Sequence, residues 1–205
     1  QEDAYYSHYK LGIIHLMEDD PEDAFDSFQT ALIYRPDFIP ARLARGVALY
    51  EQGKQQESEK DFKEALKFDN FGKELARLNL ALIDLNANEV GRARKSLEEM
   101  VKMYPSFSDP HYHLSYLDYE DGRYTQALNH INKAIELETT VQYHKAKARI
   151  LEKMPGQRVA LEKTYRTLLQ DFPALEDEDR KDIRQKLARL SSGESRTLSP
   201  LEMPA

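Results

Sequence analysis

The residues of this 205-residue chain that offer acid–base or metal chemistry are six histidines and many carboxylates. His8, His15, His111, His113, His130 and His144 show no ligand spacing. His111 and His113 stand two apart, so on a helix they point to different sides. No HExxH or comparable pattern occurs, and no metal site is expected. His8, His111 and His144 recur at one place in three stretches of similar sequence, which points to packing. The acids Glu18-Asp19-Asp20-Pro21-Glu22-Asp23 lack the spacing of a calcium loop. They read as a solvated turn feeding the N-terminus of the next helix, where negative charge is favourable. Cysteine is absent, which removes disulfides, thiolate catalysis and Cys-ligated zinc. No glycine-rich phosphate loop, no GxSxG and no nucleophile with an attendant base can be found. The expectation is a non-catalytic protein without catalytic residues or cofactors, with an enzyme as a remote alternative.

Composition narrows the partners. A net charge of -7 opposes a broad nucleic-acid footprint, which needs a basic stripe. Hydrophobic residues make up 40% and charged residues 32%, as suits a soluble protein with much exposed surface. No apolar run approaches the roughly 18 residues of a membrane span. The chain opens at Gln1 with neither an initiator Met nor a leader. It reads as a mature form or an excised piece, with a removed signal or anchor left open. Cytoplasm and periplasm are equally compatible.

The elements that would position any site come from a repeat. From Ser108 to Val141, Leu114, Leu117 and Tyr119 mark one short helix, and Gly122 breaks it. Ala127, Leu128, Ile131, Ala134, Ile135 and Leu137 then recur at helical spacing along a second. Gly12, Gly46, Ala81 and Ser115 are small residues midway along each first helix, at steps of 34, 35 and 34. Ala24, Ser58, Ala93 and Ala127 open each second helix; Phe28, Phe62, Leu97 and Ile131 are large apolar plugs. Small residues let two helices cross closely, and the plug fills the space beside the crossing. The extra residue falls near Asn70-Phe71-Gly72. Arg45 stands where a large apolar residue is usual, leaving the packing there unexplained.

This pattern resembles the tetratricopeptide repeat family, matched over Tyr5–Phe38, Ile39–Gly72, Glu74–Phe107 and Ser108–Val141. A looser fifth unit runs over about 141–173, with Ala148 small and a turn one residue longer. Leu175, Ile183, Leu187 and Leu190 share a face of a capping helix at about 176–190, with acids first and Lys186 and Arg189 last. The resemblance implies an all-α, right-handed α-solenoid of about five helical hairpins with a C-terminal capping helix. The solenoid spans 1–190 and a tail spans 191–205.

The resemblance also implies that first helices line a concave groove. Register places Tyr6, Tyr9, Ile13, Leu43, Val47, Tyr50, Leu78, Asn79, Leu82, Tyr112, Tyr116, Tyr119, Lys145 and Arg149 on it. That surface is apolar and aromatic with a basic end. The family's carboxylate-clamp positions hold Tyr9, Ile13, Ala44, Leu75 and Asn79; only Asn79 suits a clamp, so chaperone-type carboxylate binding is not expected. The expected function is an adaptor taking an apolar or amphipathic peptide. The alternative is a self-assembling scaffold whose own tail, Thr197 to Ala205, or second copy fills the groove.

Overall fold

The computed structural model describes residues 3–68 and 72–192, which form eleven α-helices and no strand. The chain divides into two compact units, residues 1–110 and 111–205. The first holds α1 (Ala4–Met17), α2 (Pro21–Tyr34), α3 (Ile39–Glu51), α4 (Gln55–Ala65), α5 (Lys73–Asn86) and α6 (Val90–Met103). The division falls in the first turn of α7 (Ser108–Glu120). The second unit continues with α8 (Tyr124–Leu137), α9 (Val141–Glu152), α10 (Arg158–Asp171) and α11 (Asp177–Ser191). Asn70, Phe71 and the tail from 193 onward, including Thr197 to Ala205, lie outside the described residues.

Helices pair as hairpins because each turn uses the same device. Asp19, Gly53, Asn88, Gly122 and Gly156 all take positive φ, between 60° and 82°. Glycine adopts this conformation freely, and Asn and Asp tolerate it best among the rest. In the first four turns the following N–H returns to a carbonyl of the last helical turn. Asp20 reaches His15, Lys54 reaches Leu49, Glu89 reaches Asp84 and Arg123 reaches Asp118, at 2.8–2.9 Å. These are Schellman-type closures. The fifth turn differs: Ala148 to Gly156 is one residue longer than Ser115 to Gly122. Its Gln157 N–H reaches only Met154, at 3.4 Å. In the first turn, the Asp20 carboxylate accepts from Asp23 N–H at 3.2 Å and Pro21 follows at the first helical position. The acid cluster is thus a helix start.

Small residues and plugs set the helix crossings. A Cβ on Gly12 would lie 2.5 Å from the Phe28 ring, and one on Gly46 2.7 Å from the Phe62 ring. Phe28, Phe62, Leu97 and Ile131 are at most 1% exposed. Hairpins stack through their first helices. Ala41 and Ala48 of α3 join the core of Ala24, Phe28, Ala31 and Leu32, and Ala76 and Ile83 of α5 join that of Ile39, Leu43, Phe62 and Ala65. Arg45 fits this core because Asp61 of α4 holds its guanidinium with two bonds of 2.7 and 2.5 Å, and Gln29 accepts a third. Asp61 is 5% exposed and Arg45 partly buried, so the bidentate pair is largely screened from water.

In the second unit, Ala127, Ile131 and Ala134 pack with Tyr143 and Ile150. Ala148, Leu151, Leu161, Tyr165 and Leu168 are covered by Leu175 and Ile183, with Leu187 and Leu190 at the edge. Burial, with the bond that Tyr165 donates to Glu152, pushes its phenol far above the usual range. α11 closes this hairpin as a polar cap. Lys186 meets Glu152 at 3.0 Å, and Arg180 bonds the carbonyls of Phe172, Pro173 and Leu175. The acids Asp177, Glu178 and Asp179 fill its first turn and Arg189 its last, as the helix dipole favours.

Candidate functional site

The second unit carries a groove of about 530 Å³ between α7 and α9. Tyr112, Tyr116 and Tyr119 form one wall, Gln142, Lys145 and Arg149 the other, and Ser115, Val141, Ala146 and Ile150 complete the lining. Helical periodicity makes these walls. The tyrosines recur at spacings of four and three, and the polar wall at three and four, so each set shares a face. Small residues let the rings stand over the floor: Ser115 is 1% exposed and its hydroxyl donates to the Tyr112 carbonyl at 2.6 Å.

The tyrosines are held unequally. The Tyr112 ring stacks on Tyr143 at 5.1 Å, and its hydroxyl accepts from Gln142 at 3.2 Å. Tyr119 is edge-on to Tyr124 at 5.6 Å and lies beneath the Arg149 guanidinium at 4.7 Å. Tyr116, between them, is 47% exposed and offers the most free ring surface. A rigid aromatic wall of this kind can take apolar side chains with little ordering cost.

The expected basic end is compensated. Lys145 pairs with Asp179 at 2.6 Å, and Arg149 lies 3.9 Å from Glu120. The hydrogen bond to Tyr119 and its electrostatic interaction, followed by the charge on Glu120, raise Arg149 above the ordinary guanidinium value. A ligand carboxylate would compete with Asp179 and Glu120 for these cations. The groove is therefore amphipathic and locally neutral, not an anion hole. The register, with the groove that the family resemblance implies, indicated Tyr112, Tyr116, Tyr119, Lys145 and Arg149. It missed Gln142, although that residue stands three before Lys145. It also missed Asp179 and Glu120, which only folding brings to the cations.

The first unit places the remaining expected residues as follows. Leu43 and Leu78 are each 7% exposed, so neither offers groove surface, correcting their expected placement. The cause is plain for Leu43: it packs onto Gly72, where a Cβ would lie 2.7 Å from its methyl. Tyr9 is edge-on to Phe38 at 5.2 Å and, like Ile13, packs on the first core. Burial raises the Tyr9 and Tyr50 phenols. Val47 and Tyr50 pack on the next core, and the Tyr50 hydroxyl accepts from Asn86. The Asn79 amide is spent on the Leu75 carbonyl at 2.8 Å. Leu82 is half-buried and Tyr6 is 46% exposed.

Four of the histidines pack against rings distant in sequence. His8 stacks on Tyr34 at 5.7 Å, His144 tilts onto Phe172 at 5.2 Å, and His111 meets His130 with their Nδ1 atoms 3.1 Å apart. Folding brings His15, Asp20 and Asp23 within 4.8 Å of one another, a proximity sequence spacing did not reveal. Asp20 accepts the Asp23 N–H at the start of α2, and the three side chains flank the α1–α2 turn.

No described helix is long and apolar enough to cross a membrane. The tetratricopeptide repeat family model matches residues 9–73 and 78–140. No curated protein matches the sequence. Among solved structures, PilF of Pseudomonas aeruginosa is similar at 17% identity and a TM-score of 0.68, over 94% of this chain and 90% of that one. A tetratricopeptide repeat protein of Thermus thermophilus is similar at 18% and 0.66, over 92% and 100%. MamA of Desulfovibrio magneticus RS-1 is similar at 16% and 0.54, over 94% and 98%. With its matched repeats and its hairpins built on one seam-and-plug register, the chain belongs to the tetratricopeptide repeat family.

Proposed function

We propose that this protein is a non-catalytic adaptor whose α7–α9 groove takes an apolar or amphipathic peptide segment. Proteins of this family typically serve as protein–protein interaction modules. The observation that carries the reading is the exposed Tyr116 ring in a wall whose other two tyrosines are fixed. Neutralised cations on the opposite wall suit a segment that is apolar along its length, with at most single polar contacts to Gln142, Lys145 or Arg149. We infer the same kind of use for the accessible surface of Tyr6, Val47, Tyr50 and Leu82 within the first unit.

A displayed library of random peptides tests this. Clones selected on the intact chain should lose about tenfold to a hundredfold in affinity for Tyr116→Ala, because burying such a ring contributes roughly 1.5–3 kcal/mol. Circular dichroism and melting should stay unchanged, since the ring is half-exposed. Peptides that bind both proteins equally would defeat the groove reading. An unfolded variant would instead make Tyr116 a core residue.

A further inference from the structure

α1 breaks the pattern set by the other first helices. Its sequence, AYYSHYKLGIIHLM, is apolar around most of its circumference, yet Gly12 is its one buried residue. A helix apolar on all sides belongs between neighbours. The register identifies the missing neighbour. Ile14 corresponds to Ala48 and Ile83, which are 0 and 4% exposed because the preceding hairpin covers them. Ser7 corresponds to Ala41 and Ala76, both 0% exposed. In α1, Leu11, Ile14 and Met17 are 43, 49 and 82% exposed. Met17 also stands where later hairpins carry Glu51, Asn86 and Glu120. Among the described residues nothing covers this edge, which corresponds to the face that stacks hairpins elsewhere in the chain.

The stripe is symmetric about Ile14. Leu11 and Met17 lie three residues to either side, and Lys10 and Glu18 lie four to either side. All of these fall within one helical face, and Lys10 and Glu18 are exposed. An antiparallel second α1, related by a two-fold axis at Ile14, sets Ile14 against Ile14. Each Leu11 then meets the second copy's Met17, and each Lys10 meets its Glu18. A surface that is complementary to itself in shape and charge defines an isologous dimer. Head-to-tail stacking is closed off, because α11 already covers the last hairpin and turns Glu178, Lys181 and Arg184 to solvent.

We propose that the α1 edge is a self-association surface, pairing two copies head to head about a two-fold axis near Ile14. With the axis at Ile14, the two helices overlap over residues 11–17 of each, a patch smaller than the roughly 1,000 Å² at the low end of specific interfaces, so a weak dimer with a dissociation constant of roughly 100 µM is expected. The groove between α7 and α9 takes no part in it.

Sedimentation equilibrium from about 1 to 300 µM spans the expected range. The intact chain should pass from monomer to dimer and stop there. Ile14→Glu places two like charges on the axis and should weaken pairing by about a hundredfold or more, with unchanged circular dichroism. Lys10→Glu acts twice per dimer and should weaken pairing by about tenfold, and adding Glu18→Lys to it should restore the original affinity. That rescue reads the antiparallel register, which nonspecific apolar adhesion would not produce. A chain that stays monomeric at every concentration overturns the proposal and leaves the stripe to a helical hairpin of another protein. Association that grows beyond dimers, ignores Ile14→Glu, or is not rescued by the double exchange overturns it equally.

Discussion

The two ends of the repeat series meet water in opposite ways. The last hairpin turns its stacking face toward α11, whose Leu175 and Ile183 are 6% exposed. Charges tie the cap down at its rim: Asp179 pairs with Lys145, and Lys186 with Glu152 and Asp182. The first hairpin has no such cover among the described residues, and Leu11, Ile14 and Met17 remain at its edge. A hairpin's apolar edge needs a neighbour wherever it sits, because it cannot bury both faces alone. A terminal helix supplies that neighbour to the last hairpin; the proposed two-fold pairing would supply it to the first.

Matched substitutions at the two edges give the largest expected contrast. Ile183→Asp places an unpaired carboxylate in the covered face and should cost about 3–5 kcal/mol in urea unfolding. Ile14→Asp at the open edge should change monomer stability by no more than about 0.5 kcal/mol. Equal costs would mean that α1 is covered in the monomer and that the two ends do not differ.

A smaller effect separates Leu11 from its equivalent in the second hairpin, Arg45. Asp61→Ala removes the carboxylate that holds Arg45 and leaves a partly buried guanidinium with Gln29 alone. We expect a loss of about 2 kcal/mol, read as a lower urea midpoint at constant slope. Replacing both partners, with Arg45→Leu and Asp61→Leu, should recover most of that loss, since apolar groups suit the site. No recovery would make the polar pair a packing requirement.

The smallest expected effect is a pH dependence confined to the second unit. Burial, then His130 and Lys133, holds His111 below the ordinary imidazole value. A folded value below the unfolded one means stability is complete above about pH 6.5 and is lost as pH falls toward the depressed value. Hydrogen exchange should show α7 and α8 opening more readily at pH 5.5 than at 7.5, with α1 and α2 changing less. His111→Asn should flatten that difference, and an unchanged pH response in the variant would assign it to other groups.

Repetition made most of the fold legible before any coordinates. Gly12 must be small because Phe28 fills the adjacent space, and Gly46 and Phe62 repeat the demand one unit later. Such steric conditions are written into residue type at a fixed period, so hairpins, seams, plugs and the capping face of α11 could all be read from them. That Tyr112, Tyr116 and Tyr119 share one face of α7 was legible from spacing; that this face lines a groove was an expectation taken from the family resemblance.

Tertiary structure decided what approaches each face. Leu43 has the type and register of a groove residue, but Gly72 admits it to the core. Arg45 looked misplaced until Asp61 arrived from the next helix. Lys145 and Arg149 promised a basic groove until Asp179 and Glu120 neutralised them. Each outcome depends on a partner supplied by another helix, or by a ring of charges around the site. Period and residue type describe the face a helix offers, while burial and pairing depend on the sum of distant contacts that meet it.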